Sequence, residues 1–323
     1  MKRSLAALLL LLPSLAGAEE QRDFGTYVAK LKAEALTQGI KQQTVDMAFT
    51  DVKLLHRAIQ ADRSQPEVRL TLEGYLHSTL PEWKVKKARQ LFNTHRAELD
   101  KVAKAYGVQP QYIVALWAKE SSFGKVQGHF SVISALTSLA FEGRRESFFK
   151  DELFAALKIL EQGHIDLAHF TGSWAGAMGQ TQFMPSSFLA LAVDGDGDGK
   201  KDIWNDTADV FASIANYLAK AGWKDDQTWG RQVKVPAHFD WALKEEIKSL
   251  DDWAKLGLRR YDGGPLPKVD MKAQLKASDG PDGRIYLVYN NYQVLKRWNR
   301  SDYFATGVGL LADRIIWPPV EAK

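Results

Sequence analysis

Apolar positions recur along most of this chain at three- and four-residue intervals, the period of a helix that buries one face. Phe24, Tyr27, Val28 and Leu31 share that spacing, as do Val52, Leu55 and Ile59, and Pro66 and Pro81 interrupt it. One long helix is predicted from Trp83 to Tyr106, stopped by Gly107. Further helical stripes cover 133–141, 148–160, 210–221 and 293–316. Between 223 and 289 the texture changes. Val233-Lys234-Val235 and Ile285-Tyr286-Leu287-Val288-Tyr289 read as strands, with turn signals at Asp262-Gly263-Gly264-Pro265 and Asp279-Gly280-Pro281-Asp282-Gly283. A short helix start stands at Leu250-Asp251-Asp252-Trp253. The pattern predicts a mainly α protein with a small α+β insert.

One stretch combines an apolar run with a charge. Tyr112 to Ala118 is wholly apolar, and Ile113, Leu116, Trp117 and Glu120 fall on one helical face. Pro110 suits the start of that helix and Gly124 its stop. A carboxylate on an apolar face is costly to ionise, and the negative end of a helix adds to the cost. An acid kept protonated near neutral pH is what a general acid requires. A surface Glu ending a helix is the commoner case, so the rest of the chain has to decide.

Two later segments change the odds. Gly172 to Ser187 mixes small residues with Gln180, Gln182, Met178, Phe183 and Met184. That mixture suits either a close helix crossing or a ligand site. Asp194-Gly195-Asp196-Gly197-Asp198-Gly199 begins like a calcium loop of EF-hand type. Asp194, Asp196 and Asp198 stand at its first, third and fifth positions, Lys200 offers a backbone carbonyl and Asp202 follows. The bidentate Glu expected at the twelfth position is Asn205, which leaves Asp206 or Asp209 to close the site.

Composition narrows the function. There is no cysteine, which excludes disulfides, thiol catalysis, Cys-bound zinc and a lipidated N-terminal cysteine. Lys2 and Arg3, the run Leu5 to Leu12 and Ala16-Gly17-Ala18 read as a secretory signal over 1–18. Without it the formal charge falls from +4 to +2, too near neutral to argue for nucleic acid. The expected location is the periplasm, as a soluble protein with no transmembrane anchor.

These segments together resemble the lytic murein transglycosylase B family, glycoside hydrolase family 103. The matching pieces are Glu120-Ser121-Ser122-Phe123-Gly124, then Gly176-Ala177-Met178-Gly179-Gln180-Thr181-Gln182-Phe183-Met184-Pro185-Ser186-Ser187. They continue with the Asp-Gly loop and Asp202-Ile203-Trp204, Ala215-Asn216-Tyr217, Tyr289-Asn290-Asn291-Tyr292 and Arg297-Trp298-Asn299. The resemblance implies a lysozyme-like α-helical core around a glycan cleft, a helical N-terminal part and a small antiparallel β insert. The implied ranges are 19–106 for the helical N-terminal domain, 107–222 for the catalytic core, 223–288 for the insert and 289–323 for a helical return. It further implies cleavage of the MurNAc–GlcNAc bond of peptidoglycan with a 1,6-anhydro end. Glu120 falls on the family's catalytic acid, and Ser173, Gln182, Tyr217 and Asn291 on glycan-cleft positions. The loop falls on a structural calcium site of Asp194, Asp196, Asp198, Lys200 and Asp209, with no cofactor needed for the chemistry. Glycan strands are the implied partner, beside cell-wall synthesis or remodelling proteins. The residues themselves leave open a muramidase that uses water, a non-catalytic glycan-binding protein and a calcium-responsive loop.

Overall fold

The computed structural model describes residues 23–64 and 70–317, so the expected signal segment lies outside the described residues. The chain opens with α1 (Phe24–Thr37), α2 (Gln42–Ala48), α3 (His56–Arg63), α4 (Leu72–Thr79), α5 (Glu82–Thr94), α6 (Arg96–Tyr106) and α7 (Pro110–Ser121). A two-residue strand β1 (Phe130–Ser131) leads into α8 (Val132–Glu142) and α9 (Glu146–Glu161). After these come β2 (Thr171–Gly172), α10 (Pro185–Leu191) and α11 (Thr207–Lys220). The insert holds β3 (Gly230–Lys234), β4 (Ile247–Ser249), α12 (Leu250–Lys255), β5 (Arg259–Arg260), β6 (Lys272–Ala277) and β7 (Ile285–Val288). Two helices close the chain, α13 (Asn290–Trp298) and α14 (Asp302–Ile316). The architecture is mainly α with small antiparallel sheets. Among the described residues no helix is long and apolar enough to cross a membrane.

The middle helix, α7, is apolar all round because it is buried all round. Every residue from Tyr112 to Ala118 is buried, with α5, α6, α11 and α14 packed about it. The main core gathers residues from Tyr27 to Ile315 on both sides of position 106, apart from the insert's own smaller core. The predicted helix over 83–106 is two helices. His95 leaves helical geometry, and its ring packs edge-on against Trp117 (5.8 Å) and Phe211 (5.3 Å). The final helical stretch is likewise divided. Ser301 caps α14 by accepting from the Phe304 N–H (3.2 Å), and its own N–H donates to Asn299.

Five strands form an antiparallel sheet in the order β4-β6-β7-β3-β5. The central strand β7 is buried on both faces, and its side chains are shared between two cores. Tyr286 and Val288 point into the helical core, whereas Ile285 and Leu287 point into a smaller core with Val233, Leu250, Trp253, Leu258 and Leu275. The strands β4, β5 and β6 carry Lys, Arg and Gln on their open faces, which is why the apolar pattern does not announce them. The sheet meets α14 through Trp229, whose buried indole lies flat on Gly309 and donates to Asp313 Oδ2 at 2.9 Å. A β-carbon at Gly309 would overlap that indole. Gly309→Ala should therefore destabilise the fold by about 1–3 kcal/mol through overpacking, read from the midpoint of denaturant unfolding. An unchanged midpoint would contradict this contact.

Candidate active site

Glu120 sits in the last turn of α7, half-buried, where the apolar helix runs out. Its Oε1 accepts a hydrogen bond from the Trp298 indole N–H at 2.6 Å. Burial pushes the carboxyl up to about 7, while the Trp298 hydrogen bond and the Lys119 ammonium pull it back. No acid figures among the causes acting on it. The neighbouring Lys119 donates to Tyr75 Oη (3.0 Å), lies 4.5 Å from the Tyr75 ring centroid, and is pushed down to about 8 by burial. Beyond Trp298 stands an aromatic wall. The Trp298 ring is 4.5 Å from Tyr217 and 5.4 Å from Phe183, and the Tyr217 hydroxyl donates to the Arg297 carbonyl at 2.8 Å.

The turn after Glu120 is strained and heavily supported. Ser122 and Phe123, not Gly124 alone, have positive φ (52° and 62°), a conformation that side chains disfavour. Phe123 is held in it by burial against Trp117 (5.5 Å). Gly124 lies directly on the Gln180 carboxamide and has no room for a β-carbon. Gln180 is buried; its Oε1 accepts from the Trp117 indole (2.6 Å) and its Nε2 donates to the Trp204 carbonyl (2.9 Å). Gln127 joins the same carbonyl, donating to Trp204 O and Gly124 O at 3.0 Å each. The segment ending at Trp204 is thereby fastened to the turn that carries Glu120.

That segment is the Asp-Gly loop. Carboxylate oxygens of Asp194, Asp196 and Asp209 converge to within 4.8 Å of one another, an all-oxygen set of the kind a hard divalent cation takes. Asp198 is outside that trio; its Oδ1 accepts from the Lys200 N–H at 2.8 Å. Asp206 is occupied as the N-cap of α11, accepting from Ala208 and Asp209. Asp202 is turned to the N–H groups of Trp204 and Asn205. Asp209 is buried and pushed up to about 6, chiefly by desolvation, and it accepts from the Gly195 and Asp202 N–H groups.

A family model described as the transglycosylase SLT domain matches residues 23–313. The chain belongs to the lytic murein transglycosylase B family. It is 32% identical over 230 residues to the membrane-bound lytic murein transglycosylase B of Escherichia coli K12, covering 69% of this chain and 62% of that protein. The chain thus spans less than two thirds of the length of that curated relative. A structure of SltB3 from Pseudomonas aeruginosa in complex with NAG-anhNAM-pentapeptide superposes with a TM-score of 0.89 at 40% identity. The match covers 91% of this chain and 80% of that one. The Escherichia coli lytic transglycosylase Slt35 in complex with calcium gives 0.78 at 26% identity, covering 90% and 92%.

Within this transglycosylase fold the expected site residues fall into two groups. Tyr217 joins Glu120 through Trp298. Gln182 is half-buried beside Phe183, with φ of 51°, and both its amide protons are bound, to Gln127 O (3.1 Å) and Gly179 O (2.9 Å). Ser173 is half-buried; its Oγ accepts from Ala177 N–H (3.0 Å) and keeps its own proton to donate. Asn291 does not present its amide to the site. It is fully buried, accepts from Lys224 N–H (2.9 Å) and donates to Lys224 O (2.7 Å) and Gln227 O (2.8 Å). Its place is to pin the loop 224–227, since no free amide group is left for a sugar. Sequence reasoning misses Trp298 as a partner of Glu120, 178 positions away; only its place in the Arg297-Trp298-Asn299 run hints at it. Because the Trp298 hydrogen bond favours the ionised acid, Trp298→Phe should raise the Glu120 pKa by roughly one unit. A carboxyl NMR titration in the parent and the variant measures it; an unmoved titration would rule the bond out as a determinant.

Proposed function

We propose that this protein cleaves the MurNAc–GlcNAc β-1,4 bond of peptidoglycan as a lytic transglycosylase, leaving 1,6-anhydro ends. The observation that carries the reading is a half-buried carboxyl, raised to about 7 and bonded to an indole rather than paired with a second acid. Ordinary glycosidases set two carboxyl groups across the bond. A single acid suffices when the substrate brings its own nucleophile. Protonated Glu120 gives its proton to the glycosidic oxygen as the bond breaks, and the neighbouring N-acetyl group steadies the cationic carbon. Glu120, now ionised, takes the proton of the sugar's 6-hydroxyl as that oxygen closes on the anomeric carbon. Both half-reactions use one group, so a pKa near the working pH serves donor and acceptor alike. The attacking hydroxyl is already tethered, so little entropy remains to be lost. In this reading Tyr217 and Trp298 form the wall of the cleft, Ser173 and Gln182 bond the sugar, and Asn291 acts at one remove through the 224–227 loop. The complex of SltB3 with NAG-anhNAM-pentapeptide supports the product assignment.

The same reading places calcium in the Asp-Gly loop, held by Asp194, Asp196 and Asp209 with Asp198 and the Lys200 carbonyl as further ligands. Its part is structural: it would neutralise the clustered carboxylates and stiffen the segment that Gln127 and Gln180 tie to the Glu120 turn. We read the protein as exported and active at the wall on glycan strands.

Glu120→Gln should fold as the parent does and lose nearly all turnover. Mass spectrometry of muropeptides released from purified peptidoglycan by the parent should show anhydro ends, one water lighter than hydrolysis products. Free reducing ends would make water the nucleophile, and no release would favour a glycan-binding role. Calcium should raise the melting temperature of the parent by mass action, and Asp209→Asn should remove that rise. A rise retained in the variant would move the closing ligand elsewhere.

A further inference from the structure

At the other end of α7, roughly 12–14 Å along the helix from Glu120, lies a cavity of about 590 Å³ between the first turn of α7, strand β3 and the last turns of α14. Tyr112, Trp229, Leu310 and Trp317 give it apolar walls. Two buried polar atoms in its lining, Arg231 Nε and Tyr286 Oη, make no hydrogen bond; Arg284 also faces that hydroxyl. The half-buried Asp313 carboxyl lines it too, with Oδ2 bonded to the Trp229 indole. Among the described residues Arg231 and Asp313 form no ion pair with each other or with any other group at 4.0 Å or less. The guanidinium nevertheless acts on Asp313, and on Asp262 and Tyr289 from the sheet.

Two opposite charges that share one cavity without meeting leave room between them, and the buried Arg231 Nε is a donor left without an acceptor, which is costly. A sugar would leave both charges uncompensated. A group bearing a carboxylate and an ammonium together would satisfy both, and an aliphatic remainder would lie on the aromatic walls. We propose that this cavity is a second binding site for a free α-amino acid head group, its carboxylate on Arg231 and its ammonium on Asp313. Exposed Asp225 and Asp226 line the same cavity and add to the attraction for the ammonium. Free α-amino acids carry both charges on one carbon, whereas a peptide end carries only one of the two. The site does not rest on the function proposed above.

Calorimetry on the full chain tests it, with leucine, N-acetylleucine, leucinamide and a sugar-free stem pentapeptide as probes. Leucine should bind, while N-acetylleucine and leucinamide, each lacking one charge, should bind at least roughly tenfold more weakly. Arg231→Met and Asp313→Asn should each weaken leucine by a similar factor. Arg231→Lys should recover part of it, and Glu120→Gln should bind as the parent does. Melting curves check that the variants fold, and the three small probes test the site in the parent without any substitution. Binding of leucine but not of the pentapeptide supports the free amino acid; tighter binding of the pentapeptide than of leucine overturns the head-group assignment. No leucine binding, or equal binding of the three small probes, overturns the site. Peptidoglycan release by the same preparation shows whether the proposed activity stands regardless.

Discussion

A carboxyl group held out of water at the end of a wholly buried helix constrains everything built around it. Burial pushes Glu120 toward its neutral form. The Trp298 N–H and the Lys119 ammonium moderate it, and the outcome near 7 reflects that opposition. Lys119 is itself destabilised as a cation, so it moderates without forming a close ion pair; Tyr75 and Phe304 rings stand over it instead. A one-acid reaction needs a group able to lose and regain a proton at one pH, and the site's apolar surroundings are suited to that requirement.

Placing that carboxyl needs a chain reversal directly after it. The reversal is made by consecutive left-handed residues, of which Ser122 and Phe123 are not glycine. Such a conformation costs about 1–2 kcal/mol per residue, so it persists only because other contacts outweigh it. The Trp117–Gln180–Trp204 hydrogen bonds and the burial of Phe123 supply them. The acidic loop is therefore tied to the turn that carries Glu120.

The second structural dependence is strand β7. By sending alternate side chains into two cores it makes the insert and the helical body share one strand. The β6–β7 turn reaches back to α4 and α14, where Asp279 accepts from the Leu72 N–H (2.6 Å) and the Tyr303 hydroxyl. Tyr303 in turn stacks near Tyr75, the partner of Lys119. The insert is thus connected by hydrogen bonds and ring packing to the surroundings of the catalytic candidate.

Much of this is legible in the chain. Periodicity locates the helices because burying one face enforces a three- to four-residue repeat. Glu120 stands out because it ends a wholly apolar run on the run's own helical face, and the later segments outweigh the commoner case of a surface Glu at a helix end. The Asp-Gly spacing exposes the acidic loop because its turn fixes which positions face inward. Other features lie beyond any local pattern. His95 breaks a continuous helical stripe because Trp117 and Phe211 hold its ring, and nothing in the stripe itself signals that. Asn291 carries the residue type of a sugar ligand but is spent on a loop. Asp209 converges with Asp194 and Asp196, while Asp206 caps α11 and Asp202 accepts from the Trp204 N–H, a division the spacing does not reveal. Residue order alone dictates which side chains prefer the interior and which local turns form. Which of them meet is a matter of packing, because the contact between Glu120 and an indole 178 residues away exists only once the helices have come together.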